Sequence, residues 1–463
     1  MKNIFIPVTS GRIVRNLLRT DVLKLLKTGG YQPVVLVESA LQDEFKDDLN
    51  LPDLIVASYQ RPRYWEKKFL IFRYLDTYSA ATNFSVKSET IFVKRKRMKE
   101  RELIKYFFTR TANFLVYRFQ FLKDFLRWLD WKLFPKKWCS DLFQKYQPVL
   151  VLSTDMMTNQ DEIYVLEGAQ NFNVPIMASI LSWDNLSGYG KLPIHVNRGV
   201  IVWNKIMKDQ LLRWHGFKGD EIYIAGVPSY DIYAKMGDNC LTREQFFKTI
   251  NADPNKKLIT YTTAPTTICD IEDQTIDVIT KAIRQNRLVA PIQLLIRLHP
   301  KDNRLHYKSL EGMTDIIFDN PGLFNAAFSD QWSPTEQDVI HLLATLKHSD
   351  IIINVASTIT IEAAIFNKPI INIGFDGYQK KSYYESVLRY YQDYTHYINI
   401  IKASGVRLAK SAEDLIYFIN QYLNQPSLDV QGRRRIVEEQ ASYLDGRASE
   451  RVANYIINNV KNF

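Results

Sequence analysis

Three short stretches in the second half of the chain combine residue types that can hold and act on a phosphate. The sharpest is HSDIIINVASTITIEAAIFNKPIINIG (His348–Gly374). An apolar run ends at Asn354, a small hydroxylated turn Ala356-Ser357-Thr358 follows, and a helical pattern starts near Ile359–Thr360. Strand, hydroxyl-bearing turn and helix start together make an anion site. Unpaired N–H groups and the helix dipole point at the ligand, and Ser357 and Thr358 add hydroxyl donors. Glu362 lies about one turn into that helix, where a carboxylate suits a ribose diol, since it accepts two hydroxyl hydrogen bonds. The plain alternative is a Ser/Thr helix cap with Glu362 in the first turn.

The second stretch is QLLIRLHPKD (Gln293–Asp302), an apolar strand running into His299-Pro300. Proline confines the residue before it to extended geometry. Arg297 stands two residues before His299, so both side chains leave the same strand face. An imidazole at this edge can donate to a phosphate or protonate a leaving group. The third stretch, Tyr261-Thr262-Thr263-Ala264-Pro265, closes another strand, and Thr262 and Thr263 can add phosphate contacts.

The first half offers groups for the other reactant. Leu181–Gly190 (LSWDNLSGYG) places Trp183, Asp184 and Asn185 after a strand, and Ser153-Thr154-Asp155 closes another, with Asp161 and Glu162 following. Either Asp155 or Asp184 can serve as the general base that takes an acceptor's hydroxyl proton; a single Asp at a strand end is otherwise a helix cap. Gly11 and Arg12 sit at the first strand–helix turn, on the acceptor side, while Arg15 and Arg19 carry no assigned role. No GxGxxG, GxxxxGK[ST], GxSxG or HExxH occurs. The remaining histidines (His195, His215, His306, His341, His348, His396) do not pair at metal spacing, and no DxD stands in a convincing loop, so the expectation is no metal site and no cofactor.

The elements that must carry these groups alternate strand and helix. Strands are expected at Asn3–Val8, Pro33–Val37, Leu54–Ala57, Pro148–Ser153, Pro175–Ile180, Gly199–Trp203 and Ile222–Ala225, with one helix over Ile13–Lys27 ended by Gly29-Gly30. After a mixed polar joint at 229–256, Lys257–Thr262 opens a second series, continued by Gln293–Leu298, Asp350–Asn354 and Pro369–Ile373. Arg433–Val460 reads as one terminal helix. Alternation of this kind gives right-handed βαβ units and parallel sheets. The expected class is therefore α/β with two Rossmann-like domains, 1–228 and 257–432, ligands binding beyond the carboxyl ends of the strands in the cleft between them. Residues 433–463 are expected to form a C-terminal helix.

Composition narrows the function classes. The chain has 463 residues, 46% hydrophobic and 24% charged, with 18 Gly and 17 Pro, which excludes disordered, collagen-like and low-complexity chains. Three dispersed cysteines without CxxC argue against a disulfide framework and make a reducing cytosol the default. The start, MKNIFIPVTS, turns polar too soon for a signal peptide, and no apolar run approaches the roughly 18 residues of a spanning helix. Net charge is +10, and residues 91–137 alone account for it, with 14 Lys/Arg against 4 Asp/Glu. The same segment carries 12 aromatic residues. In it Gln120, Lys123, Asp124, Arg127 and Asp130 share one helical face while Phe, Leu and Trp cover the rest. A basic, aromatic, amphipathic helical insertion (about 91–144) suits an anionic membrane surface from the cytoplasmic side, or packs its apolar face within its own domain. No nucleic-acid-reading motif accompanies it, so a nucleic-acid partner is not expected.

With those residues in view, RLHPKD, HSDIIINVASTITIEAAIFNKPIIN and YLDGRASERVANYI resemble the C-terminal half of GT-B glycosyltransferases, nearest the CDP-glycerol glycerophosphotransferase-like and capsule or surface-polysaccharide transferases. The fold of UDP-N-acetylglucosamine 2-epimerase is a more distant relation. The resemblance covers about residues 145–463; SWDN, VIVWNKIMKDQLLRWHGF and IYIAGVPSYDIY are similar to the middle of other members. It implies a GT-B fold, two sheets facing a central cleft, and a nucleotide-activated donor on the second domain. It also implies that the C-terminal helix, 433–463, packs back on the first domain. His299 would match the family's His-Pro histidine, Ser357 and Thr358 its paired hydroxyl residues, and Glu362 the ribose carboxylate of epimerase-like members. The chain departs from the pattern in having Ser-Thr for Ser-Ser and Asn354-Val355 for the usual Asp-Tyr, which bears against a CDP-glycerol donor. The expected activity is inverting, metal-independent transfer of a sugar to a saccharide or lipid-linked acceptor in bacterial surface polysaccharide synthesis. Alditol-phosphate transfer, nucleotide-sugar epimerisation and a non-catalytic membrane-associated assembly role are the alternatives.

Overall fold

The computed structural model describes residues 1–39, 54–60, 102–119, 121–122, 125–126, 128–129, 139–188, 192, 196–236, 240–266, 268–320, 322–324, 328, 330 and 332–461. The chain divides into two compact units. The first is Met1–Asp231 with Ala327–Ser329 and Tyr443–Phe463; the second is Ile232–Ala326 with Asp330–Ser442.

In the first unit seven strands form one parallel sheet: β1 (Lys2–Pro7), β2 (Tyr31–Glu38), β3 (Ile55–Tyr59), β4 (Leu150–Ser153), β5 (Ile176–Ser179), β6 (Val200–Val202) and β7 (Ile222–Ile224), in the order 3-2-1-4-5-6-7. The central ones, such as β2, β4 and β6, are near-continuous apolar runs rather than alternating ones, as strands covered on both faces require. Ile4, Ile6, Val35, Leu150, Leu152 and Met177 are buried in a single core. The order reverses between β1 and β4, and such a switch point is where open α/β sheets bind ligands.

The second unit repeats the plan with β8 (Lys257–Thr262), β9 (Ile292–Arg297), β10 (Ile316–Asp319), β13 (Ile351–Asn354), β14 (Ile370–Ile373) and β15 (Arg407–Ala409), in the order 10-9-8-13-14-15. A small antiparallel pair, β11 (Leu323–Phe324) and β12 (Trp332–Ser333), stands apart. Here the switch point lies between β8 and β13, where Thr262 pairs in register with Asn354. Two parallel-sheet units of this kind are the α/β architecture expected from the alternation, and they fit the GT-B fold that the resemblance implies.

Several boundaries differ from the sequence reading. The expected helix Ile13–Lys27 is broken: Gly11–Ile13 leads into a wider turn, Val14–Leu18, and a fresh helix runs Val22–Thr28. The Thr20 hydroxyl causes the break, donating to Leu17 O and accepting from Val22 N–H. The polar joint is partly ordered: Arg243–Thr249 is a helix closed by a Thr242/Gln245 capping box, and it buries Phe246 and Phe247 in the second unit. The terminal helix is two, Val430–Gln440 and Ala448–Lys461, divided near Ser442 (φ +63°) and Gly446 (φ +71°). The first packs in the second unit and the last in the first, where Val452, Ala453 and Ile456 join the core. Asp231 fixes that last helix: its two carboxylate oxygens accept Ala448 N–H (2.8 Å) and Ser449 N–H (2.7 Å).

In the basic segment a helix spans Leu103–Arg118, with Ile104, Phe108, Phe114, Phe121, Phe125 and Trp128 of this stretch exposed. The run Lys94–Arg101 and the polar set Gln120, Lys123, Asp124, Arg127 and Asp130 lie outside the described residues. Among the described residues no helix is long and apolar enough to cross a membrane.

Candidate functional site

In the second unit the candidate phosphate groups gather at the carboxyl edge of β8, β9 and β13. After Asn354 the chain turns sharply at Ala356, whose φ of +39° lies in the left-handed region. An L-residue there costs about 1–2 kcal/mol, so the neighbours must hold it. Ala356 N–H donates to the Tyr391 hydroxyl (3.0 Å), and Ser357 N–H to Asn354 Oδ1 (3.3 Å). Asn354 is buried and its Oδ1 also accepts from Thr360 (3.2 Å) and Asn372 (3.0 Å), while Tyr397 bonds to Thr360 (2.8 Å). The turn is thus set rigidly before any ligand arrives.

The expected helix-dipole contribution is small, because the following helix Ile359–Ile365 has only seven residues. What this edge can offer an anion is therefore its hydroxyl groups rather than a macrodipole, since the Ala356 and Ser357 N–H groups are already bonded within the protein. Thr358 begins the helix without capping it through its side chain. Beside the turn, on β8, Thr262 is 8% exposed and its Oγ1 has no hydrogen-bond partner among the described residues. A buried unpartnered hydroxyl costs free energy, which makes Thr262 a candidate ligand group.

Thr263, by contrast, is committed within the protein: its hydroxyl accepts His299 N–H (2.8 Å). His299 opens a turn closed by Asp302 N–H to His299 O (2.8 Å), and its Nδ1 accepts Lys301 N–H (3.0 Å). Arg297 does not stand with His299 as a phosphate ligand. It is buried in an ion pair with Asp319, whose other oxygen meets His341 (3.0 Å). Burial pushes the Asp319 carboxyl up, but Arg297 and His341 together hold it below its ordinary value. Glu362 is buried and accepts the Tyr233 hydroxyl (2.6 Å), with the Tyr233 ring edge-on to Phe366. Its carboxylate therefore already holds one hydroxyl. Behind β8, Glu272 accepts Ala264 N–H (2.8 Å) and the Tyr261 hydroxyl, and burial raises it to about 8.

In the first unit the switch point between β1 and β4 gathers Ser10, Arg12, Asp155 and Thr158. Asp155 is 1% exposed. Its Oδ2 accepts from Ser10 Oγ (3.3 Å) and lies 3.6 Å from Arg12, and Thr158 donates to Oδ1. Arg12 also donates to Thr158 (3.2 Å). The buried hydroxyls of Thr9 and Thr154, at the ends of the same two strands, lack partners. Glu162 anchors the turn by accepting Thr154 N–H (2.7 Å) and Asp155 N–H (2.5 Å), and burial raises it to about 8.

Gly11 is buried in the short turn after Ser10. Trp183 and Asn185 are buried after β5, Asn185 Oδ1 accepting Ser182 N–H (2.9 Å) and its Nδ2 lacking a partner. Asp184 is half-buried and closes its turn through its backbone carbonyl, which accepts Gly188 N–H (2.8 Å). Asp155 thus joins Ser10, Arg12 and Thr158 at the switch point, whereas Asp184 lies beyond the next strand. Among the described residues no three His, Cys, Asp or Glu side chains cluster as a metal site.

Reasoning from sequence missed Tyr391, Tyr397 and Tyr233, which brace the Ala356-Ser357-Thr358 turn and its helix. Seven tyrosines within Tyr378–Tyr397 were the available signal. It also missed Ser10 and Thr158 around Asp155.

Residues 194–458 match the family model of CDP-glycerol:poly(glycerophosphate) glycerophosphotransferases. No curated protein sequence matches the chain. Among solved structures the chain is similar to Staphylococcus aureus MnaA in complex with UDP (TM-score 0.59, 15% identity, covering 100% of this chain and 98% of that one). UDP-GlcNAc 2-epimerase from Neisseria meningitidis, bound to UDP-GlcNAc, gives TM-score 0.56 at 11% identity over 99% and 100%. A glycosyltransferase from Rickettsia africae gives 0.52 at 14% identity over 99% of both chains.

Proposed function

The chain belongs to the CDP-glycerol:poly(glycerophosphate) glycerophosphotransferase family, and from that premise we propose that it moves a sugar from a nucleotide-activated donor to a hydroxyl of a saccharide or lipid-linked acceptor. The observation that carries the donor half of this reading is the braced turn Ala356-Ser357-Thr358 beside the unpartnered, buried Thr262 hydroxyl. Thr262, Ser357, Thr358 and His299 would hold the donor phosphates. The acceptor would meet the carboxyl edge of the first unit near Arg12, Trp183 and Asn185, and Asp155 would take its proton. Asp155 is favoured over Asp184 by its three side-chain neighbours at the switch point.

In the step itself the acceptor oxygen attacks the anomeric carbon and inverts it. The carbon–oxygen bond to the phosphate breaks, and its electron pair leaves with the phosphate. Fixed hydrogen-bond donors aimed at that oxygen stabilise the charge as it develops. This chemistry calls on no metal. Transfer of a polyol phosphate is the second reading, favoured by the family description; attack is then at phosphorus. The Asn354-Val355 and Ser357-Thr358 departures favour the first.

Two measurements test this. Thermal unfolding with UDP, CDP, GDP and ADP identifies the base, since a ligand at a hundred times its Kd adds about 2.7 kcal/mol to the native state. Product analysis then separates a glycosidic bond from a phosphodiester. No stabilisation by any nucleotide refutes the donor site.

The exposed Phe, Ile and Trp side chains of 104–128, within a segment of net charge +10, support attachment to an anionic lipid surface. That surface would be the inner face of the cell membrane. Flotation with phosphatidylglycerol vesicles but not with phosphatidylcholine vesicles is the expected result; equal flotation with both removes the electrostatic half of the argument.

A further inference from the structure

The turn after β9 does more than present a histidine: it selects the nitrogen that carries the proton. His299 Nδ1 accepts the Lys301 N–H at 3.0 Å. A neutral imidazole has one N–H and one acceptor nitrogen, so with Nδ1 accepting, the hydrogen sits on Nε2. Pro300 makes this arrangement natural. It has no N–H of its own and its ring fixes φ near the value needed at the second position of the turn. The first donor after His299 is therefore Lys301, two residues on, where a side-chain acceptor can fold back to meet it.

The backbone that aims the ring is held on both sides of His299. His299 N–H donates to the Thr263 hydroxyl (2.8 Å), and His299 O accepts Asp302 N–H (2.8 Å). Asp302 Oδ2 accepts the Tyr307 hydroxyl (2.6 Å). Thr263 and Tyr307 are both buried, so each link has little freedom to exchange with water.

We propose that His299 meets the donor phosphate as a neutral Nε2–H hydrogen-bond donor and not as an imidazolium that gives up a proton. This rests on the donor-site reading above. In the imidazolium both ring nitrogens carry hydrogen, and Nδ1–H would then face Lys301 N–H, donor against donor. The balance of the step needs no proton from His299. The phosphate leaves with the electron pair of the broken bond, as its anion, while the acceptor's proton goes to the carboxylate of the first unit. Thr263, Tyr307 and Asp302 are positioning residues in this scheme, and the Lys301 contribution comes from its backbone alone.

The test is nitrogen NMR of the full chain labelled with ¹⁵N-histidine, the His299 signals being those that vanish in His299→Gln. The expected free spectrum has a pyridine-like Nδ1 and a protonated Nε2. Adding UDP or CDP should shift the Nε2 signal and leave Nδ1 unprotonated. Hydrogen bonds to charged groups are strong enough that His299→Ala should weaken nucleotide binding about tenfold or more. His299→Gln, whose amide nitrogen lies near the Nε2 position, should restore most of it, and His299→Asn, which reaches only the Nδ1 position, should not. Nδ1–H in the free protein, or both nitrogens protonated in the bound state, overturns the proposal. So does a Gln variant as weak as Ala. If wild type gives no response to either nucleotide, the donor-site reading fails, and the free spectrum still decides the tautomer by itself.

Discussion

Replacing Thr262 with Val should make the ligand-free protein more stable and the nucleotide complex weaker. The Thr262 hydroxyl is buried at the end of β8 with no hydrogen-bond partner. A buried polar group left unpaired costs about 1–3 kcal/mol. Val has nearly the same shape and no hydroxyl, so Thr262→Val removes that cost and leaves no cavity, a gain of about 1 kcal/mol at the low end of the range. In a nucleotide complex the same hydroxyl would donate to a charged phosphate oxygen, a bond worth about 1.5–3 kcal/mol. Its loss corresponds to at least about tenfold in Kd, since 1.4 kcal/mol is a factor of ten. Urea unfolding of the free protein and calorimetric titration with the stabilising nucleoside diphosphate measure the two halves separately. A variant that is less stable when free and binds nucleotide as well as wild type refutes the reasoning, because the hydroxyl would then be structural.

Tyr391→Phe leaves the Ala356 N–H without its partner while the strained φ persists; a loss of about 1–3 kcal/mol in unfolding free energy is expected, together with weaker nucleotide binding. Asp155→Asn should leave nucleotide titrations unchanged and cut turnover by about 10²–10⁴, the usual contribution of a general base. Asp231→Ala removes both acceptors from the start of the helix Ala448–Lys461 and should cost about 1–2 kcal/mol, with faster hydrogen exchange across that helix. Glu272 is raised from 4.5 to about 8 by burial. A raised carboxyl binds its proton more tightly when folded, so its contribution to stability is fully present below pH 4.5 and is lost as pH rises through about 8. Glu272→Gln can still accept Ala264 N–H and should flatten that part of the stability–pH curve; an unchanged slope assigns it to another group.

The sequence by itself determined the two parallel sheets, because strands buried on both faces need near-continuous apolar runs, and such runs at Ile4–Ile6, Leu150–Leu152, Leu294–Ile296 and Ile351–Ile353 cannot be mistaken for solvated edges. It also placed the candidate groups Thr262, His299 and Ser357 at or just beyond strand ends, where β8, β9 and β13 close. Side-chain commitments were beyond it. Arg297 and His299 share a strand face in sequence, yet Arg297 is neutralised by Asp319 on β10, 22 residues away, and only the pairing of β9 with β10 decides that. Thr262 and Thr263 are neighbours of one type; alternation points them to opposite faces, so one is left open and the other is taken up by His299. Tyr391 and Tyr397 reach the Ala356-Ser357 turn from more than 30 residues downstream, and no local pattern records such a contact. The break at Ser442–Gly446 that sends the last helix into the first unit depends on Asp231, some 217 residues earlier, accepting its first N–H groups. Patterning is a property of neighbours along the chain and so was legible. Hydrogen-bond partnership is a property of neighbours in space, and only the tertiary structure decides it.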